Sequence, residues 1–341
     1  MKSYHGRSGG GLESLVLRDH PQPAPGPREV LVRVHANSLN ARELSVLRGT
    51  YPLPVKPDVV MCADGAGAIE AVGTGVTRVQ IGDRVAAAMF PRWLDGPIAW
   101  EYAPQIGGSL DGMLTEYVAL DEDAIVRIPD HLSFEEAATL PCAGVTAWNA
   151  LYGARLLQPG QTVLTLGSGG VSLFALQFAK AAGARVIATT SSDDKAARLL
   201  ALGADDVINY RTAPDWHTVV RTLTRGRGVD QVVDIGGGTL DQSIRSVALD
   251  GQVNFIGRLS DRASAIDMNV LYNAAATVRV VFAGSRGHFI AMNRAISTNK
   301  LTPVIDRVFP FDRAVDAFRY YESSAGVGKV VISHGSTTSA R

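Results

Sequence analysis

The sequence predicts an α/β fold in which a doubly wound parallel sheet is joined to a smaller, mostly β domain. The chain has 341 residues, which at about 150 residues per domain predicts two domains. Its first third is rich in Gly and Pro and contains short alternating runs. From Thr162 onward, apolar strands and helices alternate regularly, as they do in βαβ crossovers. This change in the sequence pattern therefore predicts an irregular β domain followed by a regular α/β domain.

The composition is that of a folded chain without a bulk charge. There are 33 basic and 33 acidic residues, and 46% of the residues are hydrophobic, which excludes disorder and an overall attraction to nucleic acid or anionic lipid. Two cysteines, Cys62 and Cys142, exclude a disulfide framework and a four-cysteine zinc lobe. The start lacks an apolar signal-peptide core and no stretch resembles a membrane span, so we expect a cytoplasmic protein.

Short strands and one capped helix are predicted before the regular alternation begins. The strands, which alternate apolar and polar residues, are Glu29–Val34, Ala66–Gly73 and Asp83–Ala88. Ser133, followed three residues later by Glu136, has the spacing of a helix-capping box. We expect a helix from Ser133 to about Tyr152 that is broken near Pro141, because proline lacks the amide hydrogen a helix needs.

The second part of the chain is predicted to hold buried parallel strands separated by helices. The strands are Thr162–Leu166, Arg185–Thr189, Asp206–Ile208, Gln231–Asp234, Gln252–Ile256 and Val278–Phe282, and the first helices are Val171–Ala182 and Asp193–Leu202. Helices Phe289–Thr298 and Asp312–Ser323 and strands Val304–Phe309 and Lys329–Ser333 are expected to complete the first domain. The small, polar residues Gly335–Arg341 are expected to form a loose end.

A glycine-rich turn is the sharpest local signal for a ligand. Gly167, Ser168, Gly169, Gly170 and Val171 follow a strand and open a helix, as a dinucleotide-binding turn requires. Glycines permit the tight turn and let the backbone approach a pyrophosphate, whose charge is then stabilised at the helix N-terminus. The third glycine of the fingerprint is replaced by Ser172. The alternative is a turn with a purely structural role.

The tip of the next strand favours NADPH over NADH. NAD enzymes place an acid there, on the ribose 2′-hydroxyl. Here the tip carries Ser191 and Ser192, and Lys195 follows one turn into the helix, a set that suits a 2′-phosphate better than a free diol. Asp193 and Asp194 leave NADH as the alternative, unless they only interact with the helix dipole.

Six segments spread along nearly the whole chain have a jointly specific order and spacing. They are Asn40–Pro52, Asp64–Val85, Leu140–Trp148, Val163–Ala184, Gly203–Tyr210 and Gly328–Ile332. Through them the chain resembles the medium-chain dehydrogenase/reductase superfamily, on its zinc-free, quinone-oxidoreductase-like and alcohol-dehydrogenase-like side. The resemblance implies a GroES-like domain over residues 1–130, a Rossmann NADP-binding domain over 131–285, and a C-terminal part, 286–341, that completes the first domain. It also implies a cleft between the domains for nicotinamide and substrate.

The resemblance implies that no zinc is used. Where zinc alcohol dehydrogenases place Cys, His and Cys ligands, this chain has Asn40, Ala63 and Cys142, and Asp64 stands where they have a Glu near the metal. One thiol and one acid do not supply the three protein ligands of catalytic zinc. Cys62 is one residue from the His position and is either a substitute ligand or a small buried residue.

The same resemblance assigns two catalytic candidates. Asn40 matches an amide that can donate a hydrogen bond to a substrate carbonyl oxygen, and the alternative is an Asn that only stabilises a turn. Tyr51 matches an aromatic residue of the cleft that either donates a proton or packs. Arg42 and Glu43 follow Asn40, and we expect both to be solvated at the surface.

Further positions match cofactor contacts of the family. Thr146 matches the position beside the nicotinamide ring, and Ser191, Lys195 and Tyr210 match residues that hold the 2′-phosphate in NADPH-using members. Gly257, Phe282 and Gly284 come after later strands, at the carboxyl edge where ligands bind in such sheets.

The expected activity is hydride transfer from NADPH to a quinone or an α,β-unsaturated carbonyl. Without a metal, the developing oxyanion must be stabilised by hydrogen-bond donors, and quinones and enones need less such help than simple ketones. The alternatives are an NADP-dependent alcohol dehydrogenase or carbonyl reductase, and a non-catalytic NADPH-binding redox sensor. No Ser lies in a nucleophile elbow, so a hydrolase has no support.

Two expectations concern surfaces. The loop from Trp93 to Tyr102 is aromatic, and it either caps the substrate cleft or forms an ordinary packing cluster. The apolar strand Val278–Phe282 is expected to be the last of its sheet, and family members dimerise by joining such edges. A homodimer through residues 278–282 is therefore expected.

Overall fold

The computed structural model describes residues 1–257, 266–323 and 326–335, and it divides into two compact units. Unit 1 comprises Met1–Val145 and Gly284–Arg341, and unit 2 comprises Thr146–Ala283. The capped helical segment after Ser133 thus falls in unit 1, whereas the nucleotide-binding domain was predicted to begin at residue 131. Most of the expected loose end, residues 336–341, lies outside the described residues.

The first segment of unit 1 is mostly β structure. Its elements are β1 (Lys2–Gly6), β2 (Val16–Asp19), β3 (Glu29–Ser38), α1 (Ala41–Arg48), β4 (Val59–Val60), β5 (Asp64–Val72), β6 (Arg84–Ala87), β7 (Tyr117–Asp121), β8 (Ile125–Arg127) and α2 (Phe134–Ala137). The three predicted strands of this segment are confirmed as β3, β5 and β6. β3 extends four residues beyond its predicted end, β5 begins and ends slightly earlier than predicted, and β6 is one residue shorter at each end.

Unit 2 alternates strands and helices. Its elements are α3 (Val145–Tyr152, whose first residue belongs to unit 1), β9 (Thr162–Leu166), α4 (Gly170–Ala181), β10 (Arg185–Thr190), α5 (Asp193–Ala201), β11 (Asp206–Asn209), α6 (Trp216–Leu223), β12 (Val229–Asp234), α7 (Leu240–Ser246), β13 (Val247–Phe255), α8 (Met268–Ala274) and β14 (Thr277–Val280). The chain then returns to unit 1 with α9 (Arg286–Asn299), β15 (Ile305–Pro310), α10 (Ala314–Glu322) and β16 (Lys329–Ser333).

The main sheet of unit 1 brings the two ends of the chain together. Its strand order is β15-β16-β3-β5-β6-β8, with β7 also pairing with β3. The apolar positions of β3 are buried because Val30 and Val32 pack against Ile69, Val85 and Ile125. The strand β16 therefore lies in the interior of this sheet, between β15 and β3.

Unit 2 is built on one parallel sheet in the order β11-β10-β9-β12-β13-β14. From β9 the chain adds β10 and β11 on one side and then β12, β13 and β14 on the other, which is the strand order of a doubly wound sheet. Both faces of the sheet are covered, so strand residues such as Leu164, Ile187 and Val232 are buried, as is usual for parallel strands. The last strand ends at Val280, two residues before the predicted end at Phe282, and within the described residues it has β13 as its neighbour at the edge of the sheet.

The capping box at Ser133 is confirmed. The Ser133 hydroxyl accepts the amide hydrogen of Glu136 at 3.1 Å, and the Glu136 carboxylate accepts that of Ser133 at 2.7 Å. The helix nevertheless ends at Ala137, and a wider π-type turn over Leu140–Gly144 precedes α3. The predicted break near Pro141 is therefore confirmed, since proline cannot supply a helical hydrogen bond. Among the described residues, no helix has the length and apolar character needed to cross a bilayer.

Candidate functional site

A buried polar cluster in unit 1 is formed where strands from distant parts of the chain meet. The antiparallel register pairs Ser38, the last residue of β3, with Asp64, the first residue of β5. Strand β16 runs antiparallel to β3 and begins at Lys329. Asn40 follows β3 and is the N-cap residue of α1. These four side chains are buried, and we call them the Asn40 cluster.

Asp64 is the acceptor at the centre of the Asn40 cluster. Its Oδ2 accepts from the Ser38 hydroxyl at 2.6 Å and from the Asn40 amide at 2.8 Å, and it lies 3.4 Å from the Lys329 Nζ. Its Oδ1 accepts the backbone amide of Cys142 at 2.9 Å. Asp64 has no exposed surface, so the carboxylate is paired with donors on every side, as a buried charge must be.

Both ends of the Asn40 amide are engaged. Its Nδ2 donates to Asp64, and its Oδ1 accepts from the Lys329 ammonium at 2.5 Å. An amide nitrogen carries two hydrogens, so one donor of Asn40 is left over. Asn40 retains 8% of its surface exposed, whereas Asp64 and Ser38 retain none. The side chain is therefore held by Asp64 and Lys329, which lie far from it in the sequence.

Sequence reasoning missed Lys329. Its ammonium is 3% exposed and donates to the Leu39 carbonyl at 2.7 Å, to Asn40 and, more distantly, to Asp64. The available signal was a lysine placed directly before the apolar run Val330–Ile332, all three residues of which are buried. Such a lysine must find acceptors inside the protein, because an unpaired buried charge is costly.

Arg42 and Glu43 are buried, so the expectation that both are solvated was wrong. They are 8% and 1% exposed. The Glu43 carboxylate accepts from the backbone amides of Asn40 at 2.9 Å and Ala63 at 3.1 Å, and it pairs with Arg42 at 3.1 Å. The guanidinium also donates to the Gly107 carbonyl at 2.9 Å. Burial raises the pKa of Glu43 despite the neighbouring Arg42 cation. The positions of Arg42 and Glu43 on α1 did not indicate burial, because the segment that covers them, loop 105–108, is distant in the sequence.

Tyr51 is half-buried beside Arg42. The Arg42 Nε donates to the Tyr51 hydroxyl at 3.4 Å, and the guanidinium carbon lies 4.8 Å from the ring centroid. The ring packs against the apolar core that α1 and α10 share. The hydroxyl accepts from Arg42 and so keeps its own hydrogen for another acceptor.

The donor set near Asp64 does not fit zinc. Burial, followed by the neighbouring carboxylates, raises the pKa of the Cys142 thiol to about 12 and that of Cys62 well above its ordinary value. Zinc binds thiolates, so it would have to displace a proton from each of these two thiols. Asp64 is saturated with protein donors. No cluster of three or more His, Cys, Asp or Glu suited to a metal occurs within residues 1–257, 266–323 and 326–335.

In unit 2 the glycine turn has the shape that a phosphate-binding turn needs. Gly167 has φ +80°, a left-handed conformation that favours glycine, and its amide donates to the Thr189 carbonyl at 3.0 Å. Gly169 is the N-cap residue of α4 and has no side chain with which to cap the first turn. A methyl group at Gly169 would meet nothing within 4 Å, so space lies in front of the helix N-terminus. Gly170 and Val171 open the helix, and Ser168 is largely buried.

The missing third glycine is explained by a hydrogen bond. Ser172, which replaces it, is buried, and its hydroxyl donates to the Leu166 carbonyl at 2.6 Å. The helix therefore packs closely on β9 without a glycine at this position. Two of the residues predicted to hold the 2′-phosphate also come together. Tyr210 follows β11, and its amide donates to the carbonyl of Thr190, directly before Ser191, at 2.9 Å.

The Ser191–Lys195 segment is arranged as a helix start. Ser192 is the N-cap of α5, and its hydroxyl accepts the amide of Lys195 at 3.4 Å. Asp193 lies in the first turn and accepts from the Asn209 side chain at 2.9 Å. Ser191 is half-buried, and Tyr210 is 40% exposed.

The remaining cofactor candidates are spread over both units. Thr146 is buried in α3, and Gly257 follows β13, where a methyl group would approach the Ile235 carbonyl oxygen to 2.5 Å. Phe282 is 43% exposed beyond β14, and its carbonyl accepts from the Asn149 amide at 3.3 Å. Gly284 is the first residue of the returning segment of unit 1.

The aromatic loop has a packed part and an exposed part. Trp93 is 4% exposed, its indole donates to the Gly96 carbonyl at 2.9 Å, and its ring meets His288 edge-on at 6.0 Å. Trp100 is 84% exposed. The packing interpretation holds for Trp93, while the capping role stays a prediction for Trp100.

Comparisons with known proteins agree with this arrangement. Residues 26–130 match the alcohol dehydrogenase GroES-like domain, and residues 170–298 match the zinc-binding dehydrogenase family. A zinc-type alcohol dehydrogenase-like protein of Schizosaccharomyces pombe is 42% identical over 94% of this chain and 96% of its own length. A quinone oxidoreductase of Pseudomonas aeruginosa is 36% identical over 77% of this chain and 75% of its own.

Solved structures extend the likeness to the whole fold. A crystal structure of an NAD-dependent alcohol dehydrogenase superposes with a TM-score of 0.88 and 36% identity, covering 98% of this chain and 100% of the other. The 2-octenoyl-CoA carboxylase reductase CinF, solved with NADP and 2-octenoyl-CoA, gives a TM-score of 0.86 at 27% identity, covering 97% of this chain and 87% of the other. The α/β fold, with its GroES-like and Rossmann-like parts, is confirmed, and the chain belongs to the medium-chain dehydrogenase/reductase superfamily of oxidoreductases.

Proposed function

We propose that this chain is a zinc-independent, NADPH-dependent reductase of quinones or α,β-unsaturated carbonyls. The observation that carries the proposal is the state of the Asn40 amide: its oxygen is bound to Lys329, one hydrogen is bound to Asp64, and one N–H donor remains. That donor can bind the carbonyl oxygen of an acceptor and stabilise the negative charge that develops on it. Tyr51, whose hydroxyl keeps its hydrogen, is the second candidate donor.

The absence of a fitting zinc set supports an acceptor that is already electron-poor. Asp64 is saturated with protein donors, and the described residues contain no group of three or more His, Cys, Asp or Glu that could hold a metal. A fixed hydrogen-bond donor stabilises an oxyanion by a few kcal/mol, which suits a quinone or enone better than a simple ketone. An alcohol dehydrogenase or carbonyl reductase activity is the second candidate, because a solved alcohol dehydrogenase superposes on this chain.

The nucleotide is proposed to bind unit 2, and it supplies a hydride when bound. Gly167, Ser168, Gly169 and the first residues of α4 would hold the pyrophosphate through backbone amides. Ser191, Ser192, Lys195 and Tyr210 would hold the 2′-phosphate, with Thr146, Gly257, Phe282 and Gly284 as further contacts. We expect kcat/KM with NADPH to exceed that with NADH at least tenfold, and Lys195→Ala to lower the ratio. A ratio of one or below would assign the cofactor as NADH, through Asp193.

The proposal is tested by NADPH oxidation with an ortho-quinone as the acceptor, using chelator-treated protein. Turnover that the chelator leaves unchanged is the expected result. Turnover that is lost and then restored by zinc would contradict the metal-independent proposal and place a metal near Cys62, Asp64 and Cys142. No turnover with quinones, enones or simple carbonyls, together with retained NADPH binding, would identify a protein that only binds the nucleotide.

Asn40→Ala tests the donor directly. We expect kcat/KM for the quinone to fall about 100-fold, within the range found on removing one oxyanion donor, while the dissociation constant of NADPH stays unchanged. Asn293→Ala is the matched control, because Asn293 is also a buried amide of unit 1 but donates to the Arg127 backbone. Equal losses in the two variants would contradict a direct role for Asn40.

We also propose that two chains associate through strand β14. Residues 277–280 lie at the edge of the sheet, and exposed apolar side chains surround them: Val280 is 57% exposed and Tyr272, in the preceding helix, is 85% exposed. An unpaired strand edge with apolar neighbours favours pairing with another strand. A homodimer mass in light scattering is expected, and a monomer mass at micromolar concentration would contradict it.

A further inference from the structure

The surroundings of Lys329 are more specific than charge neutralisation requires. The ammonium has three hydrogens, and its three acceptors are the Leu39 carbonyl at 2.7 Å, the Asn40 Oδ1 at 2.5 Å and the Asp64 Oδ2 at 3.4 Å. The contact with the neutral amide is thus much shorter than the contact with the carboxylate. If the lysine served only to balance the charge of Asp64, the ion pair would be expected to be the close contact.

An ammonium can donate only to the oxygen of an amide, and a carboxylate can accept only from its nitrogen. Lysine carries donors and no acceptor, so it can face only the oxygen of Asn40. The ionised carboxylate of Asp64 carries acceptors and no donor, so it can face only the nitrogen. A reversed amide would place N–H against the ammonium and oxygen against the carboxylate, which are two repulsive contacts. Lys329 and Asp64 therefore specify the same one of the two orientations of Asn40.

We infer that Lys329 is a positioning residue that fixes the direction in which the free N–H of Asn40 points. This inference rests on the proposed function, in which that N–H binds the oxygen of the acceptor. Without Lys329, the Asn40 oxygen loses its ammonium donor, and the amide can rotate away from the direction that catalysis needs. The strand that carries Lys329 pairs directly with β3, so the cation is delivered by backbone register.

A double-mutant cycle tests whether Lys329 acts through Asn40. Lys329→Met keeps the length of the side chain but removes all three donors. We expect it to lower kcat/KM for the quinone at least tenfold, mainly through kcat, and to leave the NADPH dissociation constant within twofold. In the Asn40→Ala background the same substitution should change kcat/KM less than twofold. Losses that multiply in the double variant would overturn the inference, because they would show that Lys329 supports activity by another route.

Two further variants separate positioning from folding. Lys329→Arg carries only donors and should retain kcat/KM within about fivefold. Glu122→Gln is the control for loss of a buried charge, since Glu122 is fully buried in unit 1 and pairs with Arg28, outside the Asn40 cluster. It should leave kcat/KM unchanged. If Lys329→Met does not fold, the variant that also carries Asp64→Asn, which buries no net charge, takes its place in the cycle.

A measurement without turnover keeps the inference separate from the proposed function. In protein labelled with 15N-asparagine, the side-chain signals of Asn40 are those lost in Asn40→Ala. We expect Lys329→Met to speed their hydrogen exchange at least tenfold, whereas the Asn37 signals, whose amide donates to the Asp64 and Met113 carbonyls, should not change. Unchanged exchange at Asn40 would overturn the inference even in an active enzyme. Faster exchange at Asn40 in a protein without quinone turnover would retain it and reject the proposed reaction.

Discussion

At the scale of single residues, unit 1 buries ionised side chains in compact pairs. The Asn40 cluster and the Arg42–Glu43 pair lie side by side, and burial raises the pKa of Glu43 even with the guanidinium beside it. Each charge in such a pair depends on its partner, since the desolvation penalty of a lone buried ion exceeds what the fold can supply. The sequence shows which residues carry a charge, but only the fold determines which of them pair.

Removing Arg42 should be strongly destabilising. Arg42→Met leaves the Glu43 carboxylate buried and unpaired, so we expect the free energy of unfolding to fall by about 3–5 kcal/mol in urea titrations. The variant that also carries Glu43→Gln should recover a large part of that loss. Arg48→Met is the control, because the Arg48–Glu322 pair is exposed and should contribute little. Similar losses for Arg42→Met and Arg48→Met would contradict this reasoning.

His334 should make the stability of unit 1 depend on pH. Burial, and then the neighbouring His35, lowers the pKa of His334 to about 3 from 6.5. Its Nε2 donates to the Asn37 Oδ1 at 2.8 Å in the neutral form. Above pH 6.5 both folded and unfolded states carry a neutral ring. As the pH falls from 6.5 towards 3, only the unfolded state gains the proton, and stability is lost by up to about 1.4 kcal/mol per pH unit.

His334→Gln should flatten this part of the pH profile while keeping a donor for Asn37. The measurement is the free energy of unfolding between pH 4.5 and 6.5, compared with the exposed control His131→Gln. The slope that remains is assigned in part to His35, whose pKa burial also lowers. A slope identical to that of the wild type would show that His334 takes up its proton in the folded state as readily as in the unfolded state.

At the scale of elements, local chemistry predicted much of the structure. The capping box at Ser133, the break at Pro141 and the glycine turn before α4 each depend on residues within a few positions of one another. Strand β14 was placed at the sheet edge correctly, but its end was predicted two residues too late. Apolar residues such as Val281 and Phe282 continue the pattern after pairing has stopped, so the sequence pattern alone does not mark the end.

Contacts between distant elements were not predictable in the same way. Lys329 and Asn40 are separated by 289 positions, and only the register of β16 on β3 brings them together. The burial of Arg42 and Glu43 depends likewise on loop 105–108 covering α1. Pattern analysis of a helix reveals its apolar face, but it does not reveal which charged residues another segment will cover.

The capping box gives a prediction for a single element. Ser133→Ala removes the side-chain acceptor for the Glu136 amide and should lower the free energy of unfolding of unit 1 by about 1 kcal/mol. Ser133→Asp should retain most of the stability, because aspartate is also a good N-cap residue. Urea titration followed by a unit 1 tryptophan such as Trp93 measures both variants. Equal losses for the two would show that the cap hydrogen bond is not what stabilises this turn.

At the scale of the whole molecule, unit 2 is inserted into unit 1. The chain leaves unit 1 after Val145 and returns at Gly284. The sequence predicted the return of the tail to the first domain, because its strands and helices differ from the regular alternation before it. The first boundary was harder to locate, since the segment 134–144 is helical like unit 2 but contributes Cys142, whose amide binds Asp64 in unit 1.

The proposed association through β14 gives a prediction for the assembly. Val280→Lys places a charge on the exposed end of the edge strand, where like charges of two chains would meet. We expect light scattering to show a monomer for this variant and a dimer for the wild type. Leu249→Lys, at another exposed apolar position of unit 2, tests whether a charge elsewhere on its surface has the same effect. Dissociation by both or by neither would argue against an interface at the edge.

The order in which the chain is synthesised has a consequence for when activity can arise. Strand β16 is among the last described segments to leave the ribosome, and it supplies both an interior strand of the unit 1 sheet and the Lys329 cation. All of unit 2 has emerged by then and can fold on its own strands. The Asn40 cluster, by contrast, cannot form until β16 emerges and brings Lys329 to the Asp64 carboxylate. A nascent chain therefore completes the unit that we propose binds the nucleotide before it completes the site that we propose reduces the acceptor. A ribosome that stalls before residue 329 would hold a chain with the first and without the second.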